Sequence, residues 1–541
     1  MSLVGLLLAL DGCAPADLPG ATDPLTDLQT AVDAASATLP ASDVALPHRT
    51  VWPIRDDIPR DLPETQAPAT MVDVVVIGGG PAGLAAAWDA VDAGASVLVI
   101  EQKLALGGSL RYGVSQLLFS GTSTEEAFGV DDSPERLLSE WESFTGGDPT
   151  DPWVVAFAER NVEDVFEWLA DRGVTFGRSL AGDESGGPTR RLHRLSVSGI
   201  EFAEALASSL SDDQVMLSTE ARALVRDADG RYSGVVVAEA DTETLSWISA
   251  RAVIVATGGF LRNLDLVAWA EPDLDTSMVS FASGSHADGN GHLMLEAAGA
   301  VWQNPSAVGY YAHGVPDPED VGEELSFSPI RKTIYVNQSG QRFTDEVQYN
   351  SFLTGLDVVG QAGQFAWAVA DAKVYTELVF TDPLTLEGEV SDVPDEDALM
   401  AGGVVVTADS LDELAEEMGV DADNLALEVE AYNTAIADGS VDPWRGTAVD
   451  TPALATAPYY AMRVVPSLAK AFGGIDVDLS GRVVDAEGAP IPGLYAAGEL
   501  TGMAGGSLVG DAGFTGSLSA VILSGRVAGA AAAAEALAVP E

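Results

Sequence analysis

Residues 72–101 read VDVVVIGGGPAGLAAAWDAVDAGASVLVIE, and the reading of this stretch decides the fold. Val74, Val75, Val76 and Ile77 form a short β-branched run, the pattern of a strand buried on both faces of a parallel sheet. The run stops at Gly78, and residues 78–83 match G-x-G-x-x-G between a predicted strand and a predicted helix, Ala82 to Ala93. Gly78 allows the tight turn, Gly80 lets backbone approach a diphosphate, and Gly83 lets the helix lie close on the strand. Pro81 and Ala82 open the helix, whose free N–H groups and positive dipole end face the diphosphate. A second strand, Ser96 to Ile100, ends in Glu101, whose carboxylate is placed to accept hydrogen bonds from ribose hydroxyls. The fold class that follows is α/β, with a Rossmann-like nucleotide-binding domain.

This unit alone fits NAD or FAD. A second backbone-exposing turn at Gly107, Gly108 and Ser109 favours the longer cofactor, FAD. Further on, the apolar run Ala252 to Ala256 ends in Thr257, Gly258 and Gly259, which bring bare backbone to the cofactor again. Residues 283–291, SGSHADGNG, add glycines and Asp288; His286 and Asp288 have no partners at metal-ligand spacing, so no metal site is expected.

At 541 residues the chain has room for about two or three domains with cores of their own. A net charge of −57 excludes nucleic acid and anionic membrane surfaces as partners, because such a surface repels phosphates. The single cysteine excludes an internal disulfide, a Cys-rich metal site and a haem attachment motif. That cysteine, Cys13, follows the short apolar run Leu3 to Leu10, an arrangement like a bacterial lipoprotein signal in which a lipidated Cys13 anchors the protein to the cell envelope. Against this, no Lys or Arg precedes the run and Asp11 is unusual before the Gly-Cys pair, so a cytoplasmic protein with an apolar N-terminus is the alternative. Residues 14–70 are an acidic, Pro- and Ala-rich tether.

Residues 134–172 carry helical patterns, and His193 sits among arginines in what reads as an irregular surface loop. Val215 to Ser218, Ala221 to Asp227, Gly234 to Ala240 and Leu245 to Ser249 alternate as a small antiparallel sheet. Residues 301–470 differ in style, mixing short strands with the amphipathic helices Asp409 to Met418 and Asn424 to Asp438. Glycine-rich turns and apolar strands resume at Gly473, so the middle is an α+β capping domain inserted into the nucleotide fold. The expected division is 1–13 signal, 14–70 tether, 71–300 first part of the FAD-binding domain, 301–470 cap, and 471–541 second part.

Ordered blocks at 256–260 (ATGGF), 287–300 (ADGNGHLMLEAAGA), 334–346 (IYVNQSGQRFTDE), 363–367 (GQFAW), 458–461 (PYYA) and 493–502 (GLYAAGELTG) complete the pattern. Over residues 71–541 the chain resembles the flavoprotein subunits of fumarate reductases and succinate dehydrogenases, particularly the soluble bacterial fumarate reductases, with ketosteroid dehydrogenases as distant relatives. The resemblance implies FAD and an enzyme that moves a hydride between flavin N5 and a carbon–carbon bond next to a carbonyl-type group. It places Gly498 and Glu499 beside the ribityl chain and flavin. It also puts Gly516 and Ser517 at the start of a final helix whose positive end meets the flavin. Electrons come from or go to a separate donor or acceptor, since no haem or iron–sulfur motif is present.

The departures set the expected substrate. The family's proton-donating arginine, counted from the Arg-Phe-x-x-Glu block, falls on Asn350; a substrate histidine before proline is Asn304; and residues 503–517, MAGGSLVGDAGFTGS, hold neither histidine nor arginine. A dicarboxylate would lose several charge-assisted hydrogen bonds of roughly 1.5–3 kcal/mol each. The expected substrate is therefore neutral or apolar rather than fumarate or succinate. Tyr349 and Arg331 are the expected catalytic residues, with Lys332 and Lys470 as further cations and Tyr310, Tyr311 and His313 as further acids. The competing readings are a dehydrogenase of the ketosteroid type and a non-catalytic flavin-binding electron-transfer protein.

Overall fold

The apolar runs of the cradle form the centre of an eight-stranded sheet. The computed structural model describes residues 69–112, 116–180, 187–239, 244–284, 286–348, 350–385, 393–447, 451–502 and 513–538. Cys13, residues 14–68 of the expected tether and Tyr349 lie outside the described residues, and Thr70 already belongs to the first strand. The strand Thr70–Ile77 lies between Val97–Ile100 and Leu245–Val255, parallel to both, with Val75 opposite Leu98 and Val253. Pro490–Ala496 pairs parallel to the other side of Leu245–Val255, so residues far along the chain finish the sheet begun by the cradle.

Both sheet faces are covered, which is why the strand residues run apolar without alternation. On one face Val74, Val76 and Ile254 meet the small side chains of two helices, Pro81–Asp92 and Leu518–Ala538. These helices are nearly in backbone contact: a Cβ on Gly525 or Gly529 would overlap the carbonyls of Ala82 or Ala86. Arg526 ties the pair together through Asp89, its Nε 3.0 Å from Oδ2. Leu518–Ala538 is long and apolar enough to cross a membrane, yet its small residues are buried in this core. On the other face Val75, Ile77 and Val253 join a larger cluster with Trp141, Phe157 and Phe202.

Two expectations need correction here. Leu245 to Ser249 and Ala252 to Ala256 are one strand, Leu245–Val255, antiparallel to Tyr232–Glu239 at its start and parallel to Thr70–Ile77 at its end. Arg251 does not break it, because Nη1 reaches Asp73 Oδ1 at 2.9 Å. His193 is not a surface residue. It lies in the strand Leu192–Leu195, 1% exposed, with Nε2 2.8 Å from Thr122 Oγ1 and Nδ1 2.8 Å from the Arg191 carbonyl. Burial pushes its imidazole down to about 4, so it is a neutral core residue.

The inserted segment has its own core, drawn from residues between Ala312 and Val464. Its antiparallel sheet runs Ile334–Val336, Ala366–Asp371, Tyr459–Val464, Val405–Ala408, backed by the helices Leu411–Met418 and Ala422–Asp438. A buried charge network pins it. Glu346 accepts from Tyr335 N, from Arg342 at 3.0 and 2.9 Å and from Arg445 at 3.0 Å, while Arg342 also reaches Asp442 at 2.8 Å. A small sheet of Ser280–Phe281, Ser467–Ala471 and Val308–Tyr311 joins this segment to the nucleotide fold.

Candidate active site

One cavity of about 800 Å³ runs from the cradle to the inserted segment. At the cradle end its wall is Gly78, Gly80, Pro81 and Ala82. Gly78 has φ +104°, a conformation that favours glycine, and a Cβ on Gly83 would overlap the Gly78 carbonyl. A Cβ on Gly80 would meet nothing, because that backbone faces the open cavity. Glu101 lines the same end. Its Oε2 accepts from Gly79 N and its Oε1 from Lys103 N, both at 2.8 Å, which uses two of its four acceptor sites and leaves the others for hydroxyls.

The middle of the wall holds Gly108, Ser109, Thr257, Gly258, Gly259 and Asp288. Burial holds the Asp288 acid above its usual value, although its carboxylate accepts from Asn290 N at 2.9 Å. Ser283 Oγ and both ring nitrogens of His286 are buried on this wall without a hydrogen-bond partner among the described residues. Burial, with Lys103 and Arg262 adding to it, pushes His286 down to about 4. Gly107 and Gly516, expected to touch the cofactor, are not among the wall residues. Gly107 N donates to the Gly79 carbonyl at 2.8 Å and its Cα faces Ala203; Gly516 takes φ +87° against Leu118, whose N–H donates to its carbonyl at 3.0 Å. Both shape the cradle from behind.

At the far end are Gly498, Glu499, Ser517, Lys470, Tyr311 and His313. Glu499 Oε1 accepts from Ala471 N at 2.8 Å, and a Cβ on Gly259 would overlap that oxygen. Burial raises the Glu499 acid, with the Ala471 N–H and Lys470 opposing. Ser517, Leu518 and Val521 present the first turn of the helix Leu518–Ala538 to the cavity, with the positive end of its dipole inward. Lys470 Nζ lies 3.0 Å from Ser517 Oγ and 5.7 Å from the Phe352 ring centre.

Arg331 is elsewhere. It sits on an exposed turn, Ile330–Lys332, off the cavity wall, and its carbonyl accepts from Arg445. Lys332 pairs with Glu377, and Tyr310 is buried off the wall with burial raising its phenol far above the usual value. Asn350 caps the helix Ser351–Val359, its Oδ1 accepting from Phe352 N, and its Nδ2 donates to the carbonyls of Phe144 at 2.8 Å and Gly513 at 3.0 Å. The amide is therefore occupied in joining three segments. Lys470 was visible in the sequence only as one cation among several. The register that pairs it with Gly309, two residues before Tyr311, is what places it at the site.

The bare backbone of the cradle at Gly78, Gly80 and Gly83, the polar atoms of Ser283 and His286 that have no partner among the described residues, and the length of the cavity all fit FAD. Glu101 and Lys103 would hold its adenosine end, and the helix beginning at Leu518 would face its flavin. No group of three or more His, Cys, Asp or Glu residues among the described residues could hold a metal ion.

Comparison with known proteins places these features in context. The FAD binding domain family matches residues 73–510. A cytochrome-type fumarate reductase of Shewanella frigidimarina is 29% identical over 515 residues, covering 91% of this chain and 84% of that protein. A urocanate reductase of Eggerthella lenta is 29% identical over 494 residues, covering 87% of this chain and 76% of that one. The solved 3-ketosteroid-Δ4-(5α)-dehydrogenase of Rhodococcus jostii RHA1 superposes with a TM-score of 0.65 at 25% identity, covering 87% of this chain and 98% of that one.

Proposed function

The chain belongs to the FAD binding domain family and is an FAD-dependent oxidoreductase; on that premise we propose that its substrate carries one carbonyl-type oxygen conjugated to the reacting carbon–carbon bond and no paired carboxylates. The charge inventory at the far end of the cavity carries this reading. The positive groups on the cavity wall are Lys103 beside Glu101, Arg111, whose Nη1 reaches the Leu106 carbonyl at 3.5 Å, Lys470 and the ionisable His313; the amide of Asn350 is committed to backbone carbonyls, and no internal segment outside the described residues contains Lys, Arg or His. A dicarboxylate held at both ends calls for a clamp of cations around the reacting carbons, where Lys470 and His313 stand with Gly498 and Ser517, whereas one ammonium suffices to polarise one carbonyl.

Bound FAD supplies reversible two-electron hydride transfer at its N5. The chain's residues do the rest. Lys470, held by Ser517, is the group to receive the substrate oxygen as negative charge develops on it. Tyr311, stacked on Phe352 with ring centres 4.9 Å apart, and Leu384 form an apolar wall that keeps water from the reacting carbons. Relatives that act on fumarate, urocanate and ketosteroids share this cofactor architecture, so specificity is expected to reside in these cavity residues.

The test is anaerobic. Dithionite-reduced holoprotein is mixed separately with fumarate, urocanate, benzylideneacetone and a steroid enone, and flavin absorbance is followed. Reoxidation by a neutral enone is expected, and rapid reoxidation by fumarate would overturn the reading. The run ending at Cys13 supports an envelope lipoprotein; mass spectrometry of the mature N-terminus, finding either a diacylglyceryl cysteine or an unmodified chain, decides it.

A further inference from the structure

His313 and Glu324 face each other across a short hairpin at the mouth of the inserted segment. The strands are Gly314–Pro316 and Glu324–Ser328, and the Phe327 N–H donates to the His313 carbonyl at 2.9 Å. His313 Nδ1 lies 3.5 Å from Glu324 Oε1. The histidine side chain is 24% exposed and lines the cavity; the glutamate side chain is 0% exposed. Burying a carboxylate is costly unless it is paired, so this one is held in place for its partner.

Two further features make the pair look built. A Cβ on Gly314 would overlap Cγ, Cδ and Oε1 of Glu324, so the glycine after the histidine leaves the space in which the carboxylate lies. The ring of His313 also packs on Tyr311, centre to centre 4.5 Å and tilted 31°, which fixes the imidazole from its other side. Burial alone would raise the Glu324 acid, but the contacts with His313 and Ser326 outweigh it and leave it below its usual value. The carboxylate thus stays charged and favours the imidazolium.

We propose that His313 is the catalytic acid of this oxidoreductase, delivering a proton from Nε2 to the substrate carbon beside the one that exchanges hydride, with Glu324 as the positioning residue that keeps the imidazole charged and oriented. In the reducing direction the carbon–carbon double bond opens. One carbon takes the hydride and its electron pair from the reduced cofactor, which an external electron donor replenishes. The neighbouring carbon takes the proton: a C–H bond forms, the Nε2–H bond breaks, and imidazolium becomes neutral imidazole. Solvent returns the proton after product leaves, and in the oxidising direction the neutral imidazole removes it. This rests on the functional reading above but concerns a group that reading leaves unassigned. The titratable and charged groups around His313 are Glu324 on the facing strand, Tyr311 on its own approach, Tyr335, whose hydroxyl donates to the Ala312 carbonyl, and Lys470 beyond Phe352.

The experiment has a spectroscopic and a kinetic arm. The chain has five histidines, and His193, His286 and His292 are pushed down to about 4, 4 and 3, so their titrations stand apart from that of His313. In oxidised holoprotein labelled at histidine Cε1, the His313 resonance, assigned by its loss in His313→Gln, is expected to report the nearby Glu324 carboxylate through its titration midpoint. Glu324→Gln and Gly314→Ala should each lower that midpoint by about one unit. A midpoint that neither substitution moves overturns the pairing whether or not a substrate is known. With benzylideneacetone as oxidant of the reduced enzyme, His313→Gln should slow reoxidation about 100-fold or more without weakening binding, and His313→Gly should recover rate on addition of imidazole. Undiminished reoxidation in His313→Gln refutes the acid role. If no enone reoxidises the wild-type protein, the functional reading fails while the titration still decides the pairing.

Discussion

Asn350 stands where an arginine would act as acid, and its substitution tests whether it has become a structural joint. Asn350→Ala removes the cap of the helix Ser351–Val359, worth about 1 kcal/mol. It also strips a donor from the carbonyls of Phe144 and Gly513, both in buried residues, at about 1–3 kcal/mol each. The expected loss is therefore about 3–7 kcal/mol, roughly a hundredfold or more in the unfolding equilibrium. Because Gly513 lies just ahead of the helix that faces the flavin, urea unfolding of the holoprotein should be followed by flavin release as well as tryptophan fluorescence. Asn350→Asp separates the contributions. It keeps the capping oxygen but cannot donate, and a carboxylate would confront two carbonyls, so it should cost at least as much as alanine. A loss below about 1 kcal/mol in the alanine variant, or wild-type stability in the aspartate variant, would refute the reasoning.

Glu346→Gln in the inserted segment leaves Arg342 and Arg445 short of a buried counter-charge and should cost about 3–5 kcal/mol, read as an earlier unfolding transition in calorimetry. A stable variant would mean the network is dispensable. His292 is fully buried, stacked on Trp302 at 4.7 Å, and burial pushes it down to about 3 from 6.5. Below pH 6.5 the unfolded chain takes up a proton that the fold refuses, so stability is lost as pH falls from 6.5 toward 3. His292→Phe should flatten that acid limb, which urea midpoints at pH 5 and pH 7 would measure; an unchanged slope counts against it. Gly529→Val should separate the two small-residue helices and cost more than about 2 kcal/mol through overpacking, together with weaker FAD retention on gel filtration. Full retention of cofactor and stability would show that the helices can part without consequence.

The cradle was legible because its requirements are local: a β-branched run, glycines at fixed offsets and an acid at the end of the second strand can be read within thirty residues. The insertion was legible too, since the glycine-rich turns and apolar strands resume at Gly473. What escaped depends on distant pairing. His193 reads as a loop residue among arginines until Arg191 is seen buried against Asp132 and Glu140, which turns the charged stretch into a core strand. Gly107 and Gly516 carry the same glycine signal as the cradle but spend it on packing, a distinction composition cannot make. Glu324 resembles any acid in an acidic chain; only the side-chain approach across the hairpin and the space left by Gly314 set it against His313.

The sheet's architecture also has a consequence for how the protein is made. Strand Leu245–Val255 emerges early in synthesis, yet its neighbour Pro490–Ala496 and the helix that packs on Ala82 and Ala86 emerge last among the described elements. At ~5–20 residues per second the ribosome needs on the order of tens of seconds to span that interval. Meanwhile the inserted segment, with its own core, can fold, and an apolar sheet edge stays open. Loading with FAD thus waits until the helix Leu518–Ala538 has emerged, and the interval before that is when a chaperone or excess cofactor would most affect yield.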